Sequence, residues 1–299
     1  MRLTYFIFLI SNTFLSQSIE KLNDSVINLS SGYVERIYDF KSEYVDNRNV
    51  DIWFPENFSK GKKHDILIMH DGQNLFDRTK TWNKQEWKVD EWASKLIFDE
   101  TVRPFIVIGI HSLAEQRWSE YFPEKAFYIE KNKFQSDLKI PKLKADKYLR
   151  FIVFELIPLI KQKYNLYNND IKIISGGSSM GGLISMYAVF EYPKVFDGAI
   201  CMSTHWPGEI VNQNQFLSKS IFKYMYNNIP ASSDKKFYFD YGNKGLDVYY
   251  PQYSKTVDSI FLNNGYSIIN YKNIFFENEL HNEDAWSKRL NIPLRFIFN

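Results

Sequence analysis

Residues 176–182 read Gly-Gly-Ser-Ser-Met-Gly-Gly, with an apolar run on either side. A serine here can act as a nucleophile toward a carbonyl carbon if the chain turns sharply from a strand into a helix. Such a turn pushes the hydroxyl outward and brings the two backbones close. The residues two before and two after the serine must then be small, which is the physical content of G-x-S-x-G. Ser179 meets this condition, with Gly177 and Gly181 at the two positions. Ser178 would need a small residue at 180, which is Met180, and Ser175 has Ile173 on one side. A phosphate-binding loop G-x-x-x-x-G-K-[ST] and a dinucleotide fingerprint G-x-G-x-x-G are both missing from the stretch.

A nucleophilic serine needs a base, and the base needs an orienting acid. On a strand–elbow–helix architecture the chain order is serine, then acid, then histidine. His64, His70 and His111 precede Ser179 and fail that order; His205 and His281 follow it. His281 comes after the last apolar strand pattern, where a loop can swing back over the elbow. His205 comes directly after the strand that follows the elbow helix, a place suited to a site wall, together with Trp206. Two acids are open. Asp247 lies in a loop with freedom to reach an imidazole, whereas Asp240 lies inside a strand pattern. The developing oxyanion needs N–H donors. One is expected from Met180, after the nucleophile, and one from Gln73, where Gly72 lets the loop "MHDGQNLFD" turn. Asp71 beside His70 resembles a dyad, but order and adjacency both count against it.

These groups need a scaffold. "VDIWFP", "DILIMHDG", "FIVIGIH", "DIKIISGG", "FDGAICMS", "KKFYFDYG" and "NYKNIFFEN" read as strands. "WKVDEWASKLIFDE", "YLRFIVFELIPLIKQKY" and "LISMYAVFEY" have helical spacing, Pro158 kinks or divides the second, and "NEDAWSKRL" reads as a short final helix. Strands buried on both faces and alternating with helices predict an α/β fold, a mostly parallel central sheet with helices on both faces. The lysine-rich stretch 122–147 reads as a solvated loop, with a lid over the site as the sharper alternative.

The 299 residues suit a single domain, expected over 19–299. With 37 basic and 35 acidic residues there is no electrostatic case for nucleic acid. One cysteine, Cys201, rules out an internal disulfide and a cysteine metal cluster. Residues 1–18 carry Arg2, a mostly apolar stretch from Leu3 to Leu15, and Ser16 and Ser18 spaced like a signal-peptidase site. This is a secretory signal pattern. The stretch is short of the roughly 20 apolar residues of a membrane span, so no stable membrane insertion is expected after cleavage, and the protein is expected to be secreted or periplasmic.

Taken together, "HDGQNLFD" (70–77), "RWSEYFP" (117–123), "GGSSMGGLISMYA" (176–188), "DYGNKGLDVYY" (240–250) and "HNEDAWSKR" (281–289) resemble the secreted esterases of the α/β-hydrolase fold. The nearest group is the esterase family of enterochelin-esterase-like enzymes and the feruloyl and acetyl-xylan esterases of carbohydrate esterase family 1. The resemblance spans about residues 45–298. It implies a cofactor-free serine hydrolase of carboxylic esters, metal-independent, with a small-molecule or polysaccharide-linked ester as substrate. Arg117, Glu120 and Tyr121 match the family's R-x-x-E-Y stretch, implying substrate contacts there, with Asp71 beside them. A Ser-His pair suffices in some relatives, which leaves the weight of Asp247 open. The alternatives are siderophore trilactone hydrolysis, acyl transfer on the same fold, and a non-catalytic carbohydrate or siderophore binder. Oligomeric state and ester specificity are not legible.

Overall fold

The apolar runs form the strands of one sheet in a computed structural model, which describes residues 17–129, 142–167, 170–208, 216–232 and 235–299. In chain order the elements are β1 (Ile19–Lys21), β2 (Tyr33–Phe40), β3 (Arg48–Phe54), β4 (Asp65–His70), α1 (Val89–Phe98), β5 (Phe105–Ile110), α2 (Arg117–Tyr121), α3 (Glu124–Ile129), α4 (Ala145–Phe151) and α5 (Ile157–Tyr164). Then follow β6 (Ile173–Ser178), α6 (Met180–Glu191), β7 (Gly198–Met202), α7 (Phe216–Asn228), β8 (Lys236–Tyr241), α8 (Pro251–Asn263), β9 (Tyr271–Phe275), α9 (Glu283–Ser287) and α10 (Asn291–Phe298).

The sheet order is β1-β2-β3-β5-β4-β6-β7-β8-β9. The pairs from β1 to β5 are antiparallel, and those from β5 through β9 are parallel. The parallel strands therefore end on one edge, and the loops that leave it converge there. Alternation along β4 divides the core in two. Ile66 and Ile68 join the core beneath α4, α5 and α6, while Leu67 and Met69 join the core under α1 and α10.

Pro158 does divide the long helical stretch. It has no N–H to give to the carbonyl four residues back. The ladder widens just before it, with Ile157 N–H bonding the Ile152 carbonyl in a π-helical turn, and Pro158 then falls in the first turn of α5. Two expectations change. The helix at 283–287 is not the last, because α10 follows and stacks Phe298 on Phe105 with ring centroids 4.3 Å apart. The 122–147 stretch is not a solvated loop at its ends, where Phe122, Ala126, Phe127, Leu143 and Ala145 are buried. Residues 130–141, the middle of the 122–147 stretch read alternatively as a lid, lie outside the described residues, as do 1–16 of the signal. No helix among the described residues is long and apolar enough to cross a membrane.

One acid is out of place for stability. Asp90, in the first turn of α1, is fully buried. Its Oδ2 accepts the Ser30 N–H at 2.7 Å, and its Oδ1 finds no donor among the described residues. Burial first, then the adjacent Glu91, push its pKa up to about 8. A carboxyl raised in the folded state contributes stability below its unfolded pKa and loses it as pH rises through the folded one. Urea unfolding of the wild type should therefore weaken from about pH 5 to pH 8. Asp90→Asn should flatten that slope and be the more stable protein at pH 8, by about 1–3 kcal/mol.

Candidate functional site

The turn between β6 and α6 has the geometry its glycines predict. Ser179 sits at φ 58°, ψ −122°, a conformation L residues rarely adopt. Four backbone bonds hold it there. Its N–H donates to the Met202 carbonyl at 3.0 Å, and its carbonyl accepts from the N–H groups of Gly182 (3.1 Å), Leu183 (3.3 Å) and His205 (3.1 Å). A Cβ added at Gly177 would stand 3.0 Å from the Gly181 carbonyl carbon and oxygen. The tight position is thus Gly177; a Cβ at Gly181 would meet only ordinary contacts, at 3.6 Å.

His281, in the loop between β9 and α9, turns its Nδ1 to Asp247 Oδ1 at 2.5 Å. A carboxylate only accepts, so Nδ1 carries the hydrogen and Nε2 is left to take a proton. Asp247 is fully buried. Its other oxygen accepts the Gly242 N–H at 2.6 Å and the Ser203 hydroxyl at 2.7 Å. The Ser203 oxygen in turn accepts from Trp286 Nε1 at 2.9 Å and Arg289 Nη2 at 3.1 Å. One hydrogen and two lone pairs are all used, which leaves this hydroxyl a single orientation. Asp240 takes no part with His281. It is buried against Arg289, at 3.0 and 3.1 Å, and accepts the Ser203 N–H.

Gln73 occupies a 3-10 turn, Gly72–Asn74, directly after β4. A Cβ at Gly72 would come within 2.4 Å of the Gly109 carbonyl carbon, so only glycine lets this loop press on β5. The Gln73 side chain is locked by exchange with Ser112, Nε2 to Oγ at 2.8 Å and Ser112 N–H to Oε1 at 3.0 Å. The turn's own bonds begin with Asn74 N–H to Asp71, so the Gln73 N–H has no acceptor within it. Met180 N–H, first in α6, has none within its helix either.

His70 and Asp71 do not form a dyad. Burial lowers His70 to about 3, so it is neutral, with Nδ1 against the Tyr148 hydroxyl and Nε2 against Ser175. Asp71 forms a two-point pair with Arg117, both bonds 2.8 Å. Burial pushes the Asp71 carboxyl up, but Arg117 outweighs it and holds it below the usual carboxylate range.

Ser179 and His281 share a cavity of about 550 Å3 with Asp71, Gln73 and Arg117. The remaining substrate-contact candidates do not line it. Glu120 is fully buried in a two-point pair with Arg48, at 2.6 and 2.8 Å. Tyr121 is buried with its hydroxyl accepting the Asp71 N–H. His205 is buried with its N–H on the Ser179 carbonyl, and Trp206 is buried against Phe222 and Phe239. The wall is instead made by Asn74, Trp82, Asn83, Gln85, Trp87, Glu283 and Trp286. Most of these come from the long connection between β4 and α1. The signal available in the sequence was its mixture of tryptophans and amides, "TWNKQEW", after a strand that ends at the reactive edge.

The Asp240–Arg289 pair underlies the support of Asp247, since Arg289 also donates to Ser203. Removing one partner of a buried pair leaves the other charge uncompensated. Arg289→Met should cost about 3–5 kcal/mol in chemical denaturation. A loss under about 1 kcal/mol would mean that Asp240 had found another partner.

Comparison with known proteins gives the family and the fold. The family described as "Putative esterase" matches residues 42–297. YjcH of Bacillus subtilis (strain 168), an uncharacterized protein, is 25% identical over 223 residues, covering 73% of this chain and 76% of its own. The enterobactin esterase FES of Shigella flexneri, in a crystal structure with enterobactin, superposes with a TM-score of 0.62 at 16% identity, covering 88% of this chain. The chain spans 58% of that esterase's length. A ferulic acid esterase superposes with a TM-score of 0.60 at 16% identity, covering 90% of this chain and 98% of its own. The chain belongs to the "Putative esterase" family, carboxylic ester hydrolases of the α/β-hydrolase fold.

Proposed function

We propose that the protein is a secreted or periplasmic serine esterase working through Ser179, His281 and Asp247. The observation that carries this reading is the shared cavity: a strained, outward-turned serine and an imidazole whose other nitrogen is fixed on a buried carboxylate. Ser179 Oγ attacks the ester carbonyl while its proton passes to His281 Nε2. The carbonyl oxygen becomes an oxyanion, held by the N–H groups of Gln73 and Met180. His281 returns the proton to the departing alcohol, leaving Ser179 acylated. Water then attacks by the same steps in reverse order of partners, and the acid is released.

A cavity of about 550 Å3 has room for much more than an acetyl group. Its rim carries Trp82, 85% exposed, and its wall the amides of Asn74, Asn83 and Gln85. An exposed indole beside several amides suits a ring stacked at one face and hydrogen-bonded at its edge. An acetyl or feruloyl ester of a polysaccharide has such a ring. The FES likeness supports a siderophore trilactone as the comparison substrate.

Ser179→Ala should lower kcat for p-nitrophenyl acetate by roughly 10⁴-fold or more while leaving the fold intact, and His281→Ala should be about as damaging. A fluorophosphonate should label Ser179 of the wild type; a non-catalytic binder would stay unlabelled. Asp247→Asn should cost roughly 10³–10⁴-fold, and more than Asp240→Asn in whatever fraction of the latter folds. The reverse order would reassign the acid. Across acetyl, feruloyl and trilactone substrates, Trp82→Ala should raise KM for the preferred one and leave p-nitrophenyl acetate unchanged. N-terminal sequencing of protein exported from its host should begin at Ile19; an intact Met1 would refute the signal.

A further inference from the structure

The residues that line the cavity do not balance in charge. Two are carboxylates, Asp71 and Glu283, and one is a guanidinium, Arg117. Arg117 is bonded to Asp71 at two points, both 2.8 Å. Burial opposes the Arg117 charge, but Asp71, and Glu283 more weakly, outweigh it and raise its pKa. One cation thus serves two anions. Glu283 itself forms no ion pair among the described residues. Its oxygens accept from the side-chain amides of Asn74 at 3.2 Å and Asn83 at 2.8 Å.

Amides orient a carboxylate without cancelling its charge. A carboxylate offers about four acceptor sites, so these two bonds leave room for a further donor. Glu283 is 9% exposed, and a charge so far removed from bulk water is screened less than a surface one. The Asn74 amide, its Nδ2 turned to Glu283, has an Oδ1 that finds no donor among the described residues. The negative end of that amide adds to the same side of the balance. Trp82 stands at the rim, 85% exposed, and an indole face attracts cations.

We propose that the cavity selects its ester by charge, taking one that carries a cationic group in its acyl or alcohol part, with Glu283 as the specificity-determining residue. A cationic group supplies the counter-charge that Glu283 lacks. An anionic one meets further negative charge, and the guanidinium beside it is already paired with Asp71. A neutral ester falls between the two. The inference rests on the ester-hydrolase reading of the site and narrows its substrate.

Pairs of esters alike in shape and different in charge test it. For the acyl side, the p-nitrophenyl ester of 4-(trimethylammonio)butanoate is set against that of 5,5-dimethylhexanoate, with the p-nitrophenyl monoester of glutarate as the anion. For the alcohol side, acetylcholine is set against 3,3-dimethylbutyl acetate. In at least one pair the cation should be preferred roughly tenfold in kcat/KM, and that pair tells which part of the ester meets Glu283. The glutarate ester should be slower than its neutral counterpart. Raising salt from about 20 mM to about 500 mM should draw the preference toward one. Glu283→Gln should remove the preference, whatever it does to the absolute rates, and Glu283→Asp should keep part of it. A wild type that favours the neutral ester, or neither, in both pairs would overturn the proposal, and so would an unchanged preference in a folded Glu283→Gln protein. If that variant does not fold, a preference that salt leaves untouched would overturn it instead. If the wild type takes a fluorophosphonate but hydrolyses none of the five esters, benzyltrimethylammonium should protect Ser179 better than benzyl alcohol; equal protection would overturn the proposal. A wild type that neither hydrolyses esters nor labels defeats the underlying esterase reading, an outcome distinct from an active enzyme indifferent to charge.

Discussion

Everything at this site hangs on one strained residue. Holding Ser179 at a positive φ costs of order 1–3 kcal/mol, and such a residue persists only where its surroundings over-determine it. Here they do. The N–H is tied to the end of β7, the carbonyl to the first turn of α6 and to His205, and Gly177 lets the helix backbone press against the strand. The parallel pairing of β6 with β4 and β7 fixes the level at which the strand stops, with Ser178 opposite Met202. The same register that buries the sheet therefore aims the hydroxyl at the edge where the loops converge.

Asp247 and His281 ride on loops, which are poor at holding a geometry. Their precision comes from burial. Asp247 and Asp240 are both removed from water, and a buried carboxylate must be fully hydrogen-bonded or neutralised. Satisfying Asp247 recruits Gly242 and Ser203; orienting Ser203 recruits Trp286 and Arg289; compensating Arg289 recruits Asp240. Each requirement draws in a residue from another part of the chain: the β7 exit, the turn after β8, and the α9 region. A chain of desolvation costs has thus become a rigid cradle for one imidazole.

Much of this was legible in the sequence, for identifiable reasons. The β4, β5, β6 and β7 runs are buried on both faces and so stand out as continuous apolar segments. The elbow was legible because a backbone contact demands glycine at a set spacing. Chain order narrowed the histidines to His205 and His281, whereas Asp240 and Asp247 both satisfy it and only the loop position of Asp247 favoured that residue. The partners of charged residues were not legible. Arg48 and Glu120 lie 72 positions apart, and nothing local to Glu120 distinguishes a ligand-facing carboxylate from one buried under a guanidinium. The same is true of His205, whose position after β7 places it near Ser179 without telling which side of it. The π-helical turn before Pro158 could be anticipated as a break but not as a widened turn, since that choice depends on the packing of Phe151, Ile152 and Leu156 beneath it.

The loops divide the labour in a way that bears on how specificity could change. The groups proposed for bond making sit after β6, β8 and β9 and are locked to one another through buried polar atoms. The cavity wall comes mainly from the connection after β4, where Asn74, Trp82, Asn83, Gln85 and Trp87 lie, and Trp82 stands almost fully in solvent. Three ties join the wall to the machinery among the described residues: Glu283, which accepts from Asn74 at 3.2 Å and Asn83 at 2.8 Å, Trp286, which donates to Ser203 at 2.9 Å, and the Asp71–Arg117 pair beside the Gly72–Asn74 turn. Residues between these ties can vary with little disturbance to Ser179 or His281, because the bonds that reach from the wall to their supports pass through the tie residues. Residues at the ties cannot, since a change at Glu283 moves the helix that follows His281. On the proposed reading, a change of ester preference is therefore a matter for residues 82–85, and a change of reaction for the three loops beyond them.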